Sequence, residues 1–231
     1  MTESRDYFNR IAELDMLREK RCGIPEFIFS CGKSPQLVYK LLVELAEQKG
    51  FGVATKLSQE QFVFLSRKRK KGYVFDLHRE ASMVVVRKRD FKFKNNLGPV
   101  GIISAGSSDF MVAEEARITA EVLGCRTIYA YDVGVAGIHR IVEPLKGMLK
   151  EKVVCIIVVA GMDGVLPVLV KSLVDTPVIG VPVSEGYGYG GEGEAALTTM
   201  LQSCSPGLVV VNIDNGFGAA AAAYLIAKKK Q

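Results

Sequence analysis

The residues of this chain best suited to chemistry are a cysteine and an aspartate. Cys204 lies in "SCSPG", between two serines and ahead of a Pro-Gly turn. A thiolate there would be a nucleophile. Asp163 stands between Met162 and Gly164, after the apolar run "VVCIIVV". A carboxylate at that spot can serve as a general base. Both have plainer uses: a small apolar residue at a helix end, and an N-cap for the helix that follows. The negative end of the preceding helix also opposes a thiolate at Cys204. Within one subunit the plainer reading of Cys204 is the stronger.

Three further stretches could hold or position a substrate. Gly106-Ser107-Ser108-Asp109 precedes a helix, and amides with hydroxyls at a helix N-terminus suit a phosphate. Ser and Asp are equally the residues an ordinary cap would use. His139-Arg140 opens another helix. Arg140 could clamp a phosphate or carboxylate, and His139 could orient a substrate or carry a proton. Their bland counterparts are a helix-end histidine and a surface arginine. Glu185, Glu192 and Glu194 lie in the glycine-rich, mobile loop 182–193 and just after it, and Asp214 precedes the last helix. The glutamates could bind Mg²⁺ or act in catalysis, although solvated carboxylates are commoner. Asp214 could cap the helix. There is no Gly-Lys-Ser/Thr phosphate loop at 105–109 and no G-x-G-x-x-G fingerprint, which disfavours a standard nicotinamide dehydrogenase.

These residues must be carried by elements, and the chain falls into two textures. Residues 100–231 repeat strand, glycine-rich turn and helix five times. The expected strands are 100–104, 127–131, 153–159, 177–181 and 208–213. Helices fit 109–123, 137–150, 164–174, 192–203 and 215–229. The strands are continuously apolar, as in a parallel sheet covered on both faces. The expected fold is therefore α/β, a doubly wound parallel sheet of about five strands. Ligands of such sheets sit at the carboxyl ends of the strands. All five ends carry glycine, which suggests a ligand lying close to backbone.

Residues 1–97 read as a small α+β unit, with the catalytic domain at 98–231 and the boundary at "NNLGPV". A helix is expected over 5–21 from Phe8, Ile11, Leu14 and Leu17. A second starts at Ser34-Pro35 and ends at Lys49-Gly50. Short β segments are expected at 52–55, 61–65, 73–77 and 83–87.

Bulk properties narrow the class. The chain has 231 residues, 48% of them hydrophobic, with no run long enough to span a bilayer. The polar N-terminus is unlike a secretory signal, so a cytoplasmic protein with no membrane partner is expected. Five scattered cysteines and two histidines form no disulfide framework and no zinc pattern. The net charge of +5 is uneven: residues 1–99 hold 20 Lys+Arg against 12 Asp+Glu, residues 100–231 hold 10 against 13. The excess lies in "RKRKK" (67–71) and "RKRDFKFK" (87–94). These could contact RNA, an import receptor or an anionic substrate. A solvated loop and an exposed strand edge are favoured, and nucleic acid is not expected as a partner.

Together, "VGIISAGSSDFMVAEEA", "DVGVAGIHR", "IIVVAGMDGVLP", "PVIGVPVSEGYG" and "LQSCSPGLVVVNIDNGFGAA" resemble the LarB family of pyridinium-3,5-biscarboxylic acid mononucleotide synthases. That family is related to PurE, the carboxyaminoimidazole ribonucleotide mutase. The match is dense from Gly98 onward, and "REKRCGIPEFIFSCGKSPQ" extends it into the N-terminal part.

The resemblance implies a flavodoxin-like, PurE-like sheet and a two-part reaction. Nicotinic acid adenine dinucleotide is carboxylated on its pyridinium ring with CO2 or bicarbonate, and its phosphoanhydride is hydrolysed to release AMP. The product feeds nickel-pincer nucleotide biosynthesis. Cys204 matches the family's catalytic cysteine and Asp163 its catalytic carboxylate. Ser107, Ser108 and Asp109, with Gly106, would hold phosphate and ribose, and His139-Arg140 would line the same pocket. Gly161, Met162, Gly164, Ser184, Gly186, Asp214, Asn215 and Gly216 complete the implied substrate-binding set. No cofactor is built in, and Mg²⁺ can serve the hydrolytic step. A homo-oligomer is implied, an octamer of PurE type. Sites shared between subunits would let Cys204 reach a ring that its own chain does not offer it. The small residues of "GFGAAAAAYLIA" (216–227) permit close helix packing within or between subunits.

There are departures from the pattern. The family usually has glutamate where this chain has Asp163, which withdraws the carboxylate by roughly 1.5 Å. Val165 stands where PurE carries its catalytic histidine, which argues against the purine reaction. The loop 184–194 differs in detail from the usual LarB pattern. A PurE-like carboxylase or mutase and a non-catalytic nucleotide-binding homologue are the alternatives.

Overall fold

A computed structural model describes residues 12–230. It divides the chain into two compact units, the first ending at Lys92 and the second beginning at Phe93. That division falls a few residues ahead of 97/98, and the first strand of the second unit already begins at Leu97.

In the first unit the helix expected over 5–21 lies partly outside the described residues. Within them the helix begins only at Arg18: α1 (Arg18–Cys22) ends at Gly23, whose φ is 83°. β1 (Ile28–Phe29) leads into α2 (Pro35–Lys49). Ser34 caps α2 by accepting the Leu37 N–H, and Gly50, at φ 90°, closes it. β2 (Phe51–Thr55) follows.

The expected strand at 61–65 is a helix, α3 (Gln59–Ser66). A reciprocal cap decides this: the Ser58 hydroxyl accepts the Gln61 N–H (3.2 Å), and Gln61 Oε1 accepts the Ser58 N–H (2.8 Å). The buried Gln61 also donates from Nε2 to the carbonyls of Ser30 (2.8 Å) and Lys33 (2.7 Å), fixing the loop before α2.

β3 (Tyr73–His78) and β4 (Met83–Lys88) complete a sheet in the order β1-β2-β4-β3. The basic run that starts at Arg87 is therefore not on a sheet edge. Arg87 sits opposite both Phe51 and Val74, and its guanidinium bonds Asp76 at 3.0 Å. In the other run, Lys70 pairs with Glu47 and Lys68 lies over the Phe64 ring. These cations stabilise their own unit.

The second unit holds five parallel strands. They are β5 (Leu97–Ser104), β6 (Cys125–Ala130), β7 (Cys155–Ala160), β8 (Val178–Pro182) and β9 (Leu208–Val210). Their order is β6-β5-β7-β8-β9. This is an α/β doubly wound sheet of flavodoxin-like order, with its switch point between β5 and β7. The helices are α4 (Phe110–Val122), α5 (His139–Lys150), α6 (Val165–Leu173), α7 (Glu194–Leu201) and α8 (Gly216–Lys229).

One face packs Ile103, Ile156 and Val158 against Ile141, Leu145 and Met148 of α5, Leu166 and Val170 of α6, and Met200 of α7. α4 and α8 cover the other face and pack on each other. The seam of small residues serves this contact: a Cβ on Gly216 would strike the Val112 carbonyl and lie 3.1 Å from the Ala116 nitrogen. β9 is shorter than expected because Asn212 Oδ1 takes the Ile213 N–H at 2.9 Å and interrupts the ladder. Among the described residues no helix is long and apolar enough to cross a membrane.

Candidate functional site

The carboxyl ends of β5, β7, β8 and β9 are stitched together by side-chain carboxylates and glycines. After β5, a single tight turn over Ser107–Asp109 precedes α4. Ser107 and Ser108 are exposed, as a phosphate ligand requires, but Asp109 is 3% exposed. Its Oδ2 accepts the Gly106 N–H at 2.7 Å and its Oδ1 accepts the Gly161 N–H, beyond β7, at 2.9 Å. Burial raises its pKa, against the two amides that lower it. Both oxygens thus serve backbone.

Gly161 has no room for a side chain. A Cβ would lie 2.7 Å from the Glu185 carbonyl and 3.1 Å from Asp109 Oδ1. The loops after β5, β7 and β8 therefore touch at this glycine. The turn runs on through Met162, at φ 38° and exposed, to Gly164, whose N–H donates to the Gly161 carbonyl at 2.9 Å. Asp163 is exposed, and its Oδ1 accepts the Val165 N–H at the start of α6 (3.2 Å). The carboxylate thus accepts the first N–H of α6 while staying open to solvent.

A second carboxylate ties β8 to β9. Asp214 Oδ1 accepts the Ser184 N–H at 2.9 Å, while the Asp214 N–H donates to the Pro182 carbonyl. The cap of α8 is not Asp214 but Asn215, whose Oδ1 accepts the Gly218 N–H at 2.8 Å. Asp214, at φ 57°, instead turns the chain between strand and helix. Gly186 lies by Met162, and Glu185, Glu192 and Glu194 are exposed. Among the described residues no three His, Cys, Asp or Glu side chains converge as a metal site.

Beyond β6, exposed His139 and Arg140 open α5. Arg140 Nη1 bonds Asp132 Oδ2 at 2.9 Å. Asp132 was not singled out from the sequence, although it heads "DVGVAGIHR". Its φ of 56° is a conformation that aspartate tolerates better than most residues. Both partners are well exposed, so an incoming anion can compete for the guanidinium.

Cys204 is exposed but not among these groups. It lies between α7 and β9, where the Ser205 hydroxyl donates to the Val168 carbonyl of α6 at 3.3 Å. β9 starts level with Val178, and Asp163 follows Ala160, which is level with Pro182. Four strand steps separate these levels, so the thiol and the carboxylate of one chain stand about 13 Å or more apart along the sheet.

Comparison with known proteins accounts for this arrangement of elements. Residues 99–231 match the family model described as AIR carboxylase, and residues 7–88 match the LarB/PurE-like N-terminal domain. The chain belongs to the LarB family, related to PurE. It is thus a member of a carboxylase-related enzyme family. An uncharacterized protein of Methanocaldococcus jannaschii is 46% identical over 228 residues, covering 96% of this chain and 88% of the relative. The N5-carboxyaminoimidazole ribonucleotide mutase of the same organism is 35% identical over 122 residues, 52% of this chain and 72% of that protein. A solved GH3 exo-β-xylosidase overlays with a TM-score of 0.36 at 12% identity, spanning 74% of this chain but only 23% of that one. That likeness is too loose to bear on fold or function.

Proposed function

We propose that this LarB-family protein carboxylates nicotinic acid adenine dinucleotide with CO2 and hydrolyses its phosphoanhydride, giving pyridinium-3,5-biscarboxylic acid mononucleotide and AMP. The observation that carries the reading is the joint match to the AIR carboxylase model and the LarB/PurE-like N-terminal domain, with Cys204 and Asp163 standing exposed in the motifs that resemble the LarB family's. The Cys204 thiolate adds to ring carbon 4, and the electron-poor ring becomes an enamine-like dihydropyridine. Carbon 5 attacks CO2. Asp163 takes the carbon 5 proton, and the thiolate leaves as the ring regains aromaticity. Water cleaves the phosphoanhydride, so the sequence needs no oxidant or reductant. The exposed Ser107 and Ser108 and the exposed Arg140 guanidinium support this reading, since hydroxyls and a guanidinium suit phosphates. Mg²⁺ for the hydrolytic step would arrive on those phosphates.

We infer from the separation of Cys204 and Asp163 that two copies each give one of them to a site. The test is incubation with the dinucleotide, labelled bicarbonate and Mg²⁺, followed by mass spectrometry of products and protein. Cys204→Ser should abolish both the adduct and carboxylation, and Asp163→Asn should accumulate the adduct. Mixing these two inactive variants should restore up to about a quarter of the activity through hybrid sites. Full turnover by Cys204→Ser refutes the chemistry; an active monomer refutes the sharing. The mutase relative favours a second reading, turnover of an aminoimidazole ribonucleotide. Val165 in place of the PurE histidine weakens it, and product formation from that ribonucleotide alone would reverse the order.

A further inference from the structure

Asp109 sits in a motif whose resemblance assigns it to the substrate, yet its surroundings describe a different task. It is 3% exposed, so a ligand has little access to it. Each carboxylate oxygen already accepts a backbone N–H, from Gly106 at 2.7 Å and from Gly161 at 2.9 Å. Those two glycines follow β5 and β7, the strands on either side of the switch point. Gly161 also lets the carboxylate approach, since a Cβ there would stand 3.1 Å from Oδ1.

Two residues further on stands Asp163. The turn that carries it has two anchors: the Gly161 N–H on Asp109, and the Val165 N–H on Asp163 Oδ1 at 3.2 Å. The first is a charge-assisted bond held away from water and so the stronger. We propose that Asp109 is a positioning residue: it latches the loop after β7 to the loop after β5 and thereby sets where the Asp163 carboxylate stands. The exposed Ser107 and Ser108 are left to contact the ligand.

The kinetic part of this inference rests on the carboxylase reading; the structural part does not. In the Asp109→Asn variant one oxygen is kept, and an NH2 group is set against the other backbone N–H. Hydrogen exchange in the segment 159–166 should become faster. A misplacement on the order of 1 Å should lower kcat for carboxylation about 10- to 100-fold, with KM for the dinucleotide within about threefold of wild type. Adding Asp163→Asn to that background should lower kcat much less than Asp163→Asn does in the wild type, since both act on one proton transfer.

A KM raised more than about tenfold at unchanged kcat would make Asp109 a ligand contact and overturn the proposal. Unchanged exchange at 159–166 would overturn it as well. Should the Asp109→Asn variant not fold, Gly161→Ala offers the same test with the carboxylate intact. Its new Cβ pushes on Asp109 Oδ1 and the Glu185 carbonyl, and it should give the same loss confined to kcat. A wild-type protein that carboxylates nothing would refute the function, while the exchange measurement still decides the latch.

Discussion

Replacing Gly164 by alanine should destabilise the second unit by about 2–5 kcal/mol, in two separable parts. Gly164 is the N-cap of α6, directly after Asp163, with φ at 64°. An L-residue in that region costs about 1–2 kcal/mol. The second part is contact. A Cβ would lie 2.5 Å from the Ala196 carbonyl oxygen, 2.7 Å from its Cα and 2.9 Å from its carbonyl carbon. All three are backbone atoms of α7 and cannot swing aside, and crowding of this kind adds about 1–3 kcal/mol. Gly188 is the control, because its φ is 82° and a Cβ would meet nothing within 4 Å. Gly188→Ala should therefore carry only the backbone part, about 1–2 kcal/mol. The assay is urea unfolding followed by circular dichroism, with the midpoints of the two variants compared at a common m-value. If the two unfold within about 0.5 kcal/mol of each other, the packing of α6 against α7 does not weigh as argued.

Other outcomes follow from the same geometry. Gln61→Ala should cost the first unit about 2–3 kcal/mol and speed hydrogen exchange over 30–34, because it strands the carbonyls of Ser30 and Lys33. Brief alkylation of the native protein near about pH 8, read by mass spectrometry, should label exposed Cys22, Cys31 and Cys204. It should spare Cys125 and Cys155, whose thiols burial pushes up to about 11 and about 12. Asp109 gives a pH dependence of known sign. Burial raises its native pKa, so its stabilising protonation is fully present below the unfolded value and is lost as pH rises through the native one. The stability of wild type relative to Asp109→Asn should therefore fall as pH rises above about 4, as urea midpoints measured along that rise would report.

The alternation of apolar runs and glycine turns was enough to read the second unit, because each parallel strand is buried on both faces and carries its own signal. Residues 61–65 misread as a strand for a local reason. "FVF" has the apolar β texture, but the pair Ser58 and Gln61 closes a cap that this texture does not advertise. Arg87 misread as an edge residue because strand order is a tertiary fact: β4 runs between β2 and β3, and nothing in "MVVVRK" distinguishes an inner strand from an outer one. The site divides in the same way. The positions of Ser107, Ser108 and Asp163 at strand ends were legible, since they depend only on which residues follow which strand. The occupancy of Asp109 and Asp214 was not, since their acceptors' partners, Gly161 and Ser184, lie far along the chain.

The glycines themselves need a different account from the one their abundance suggests. Glycine at every strand end reads as room for a ligand close to backbone. A Cβ on Gly134 would instead lie 2.8 Å from the Ala105 carbonyl, and one on Gly161 2.7 Å from the Glu185 carbonyl. These two residues are small because neighbouring loops of the same chain come within van der Waals distance of them. Once the loops are that close, a carboxylate such as Asp109 can bridge two of them, and the exposed groups between them stand on a rigid rim. Under the proposed carboxylation, that anchoring is what Asp163 needs, because a side chain two bonds long has little reach with which to correct an error in its backbone.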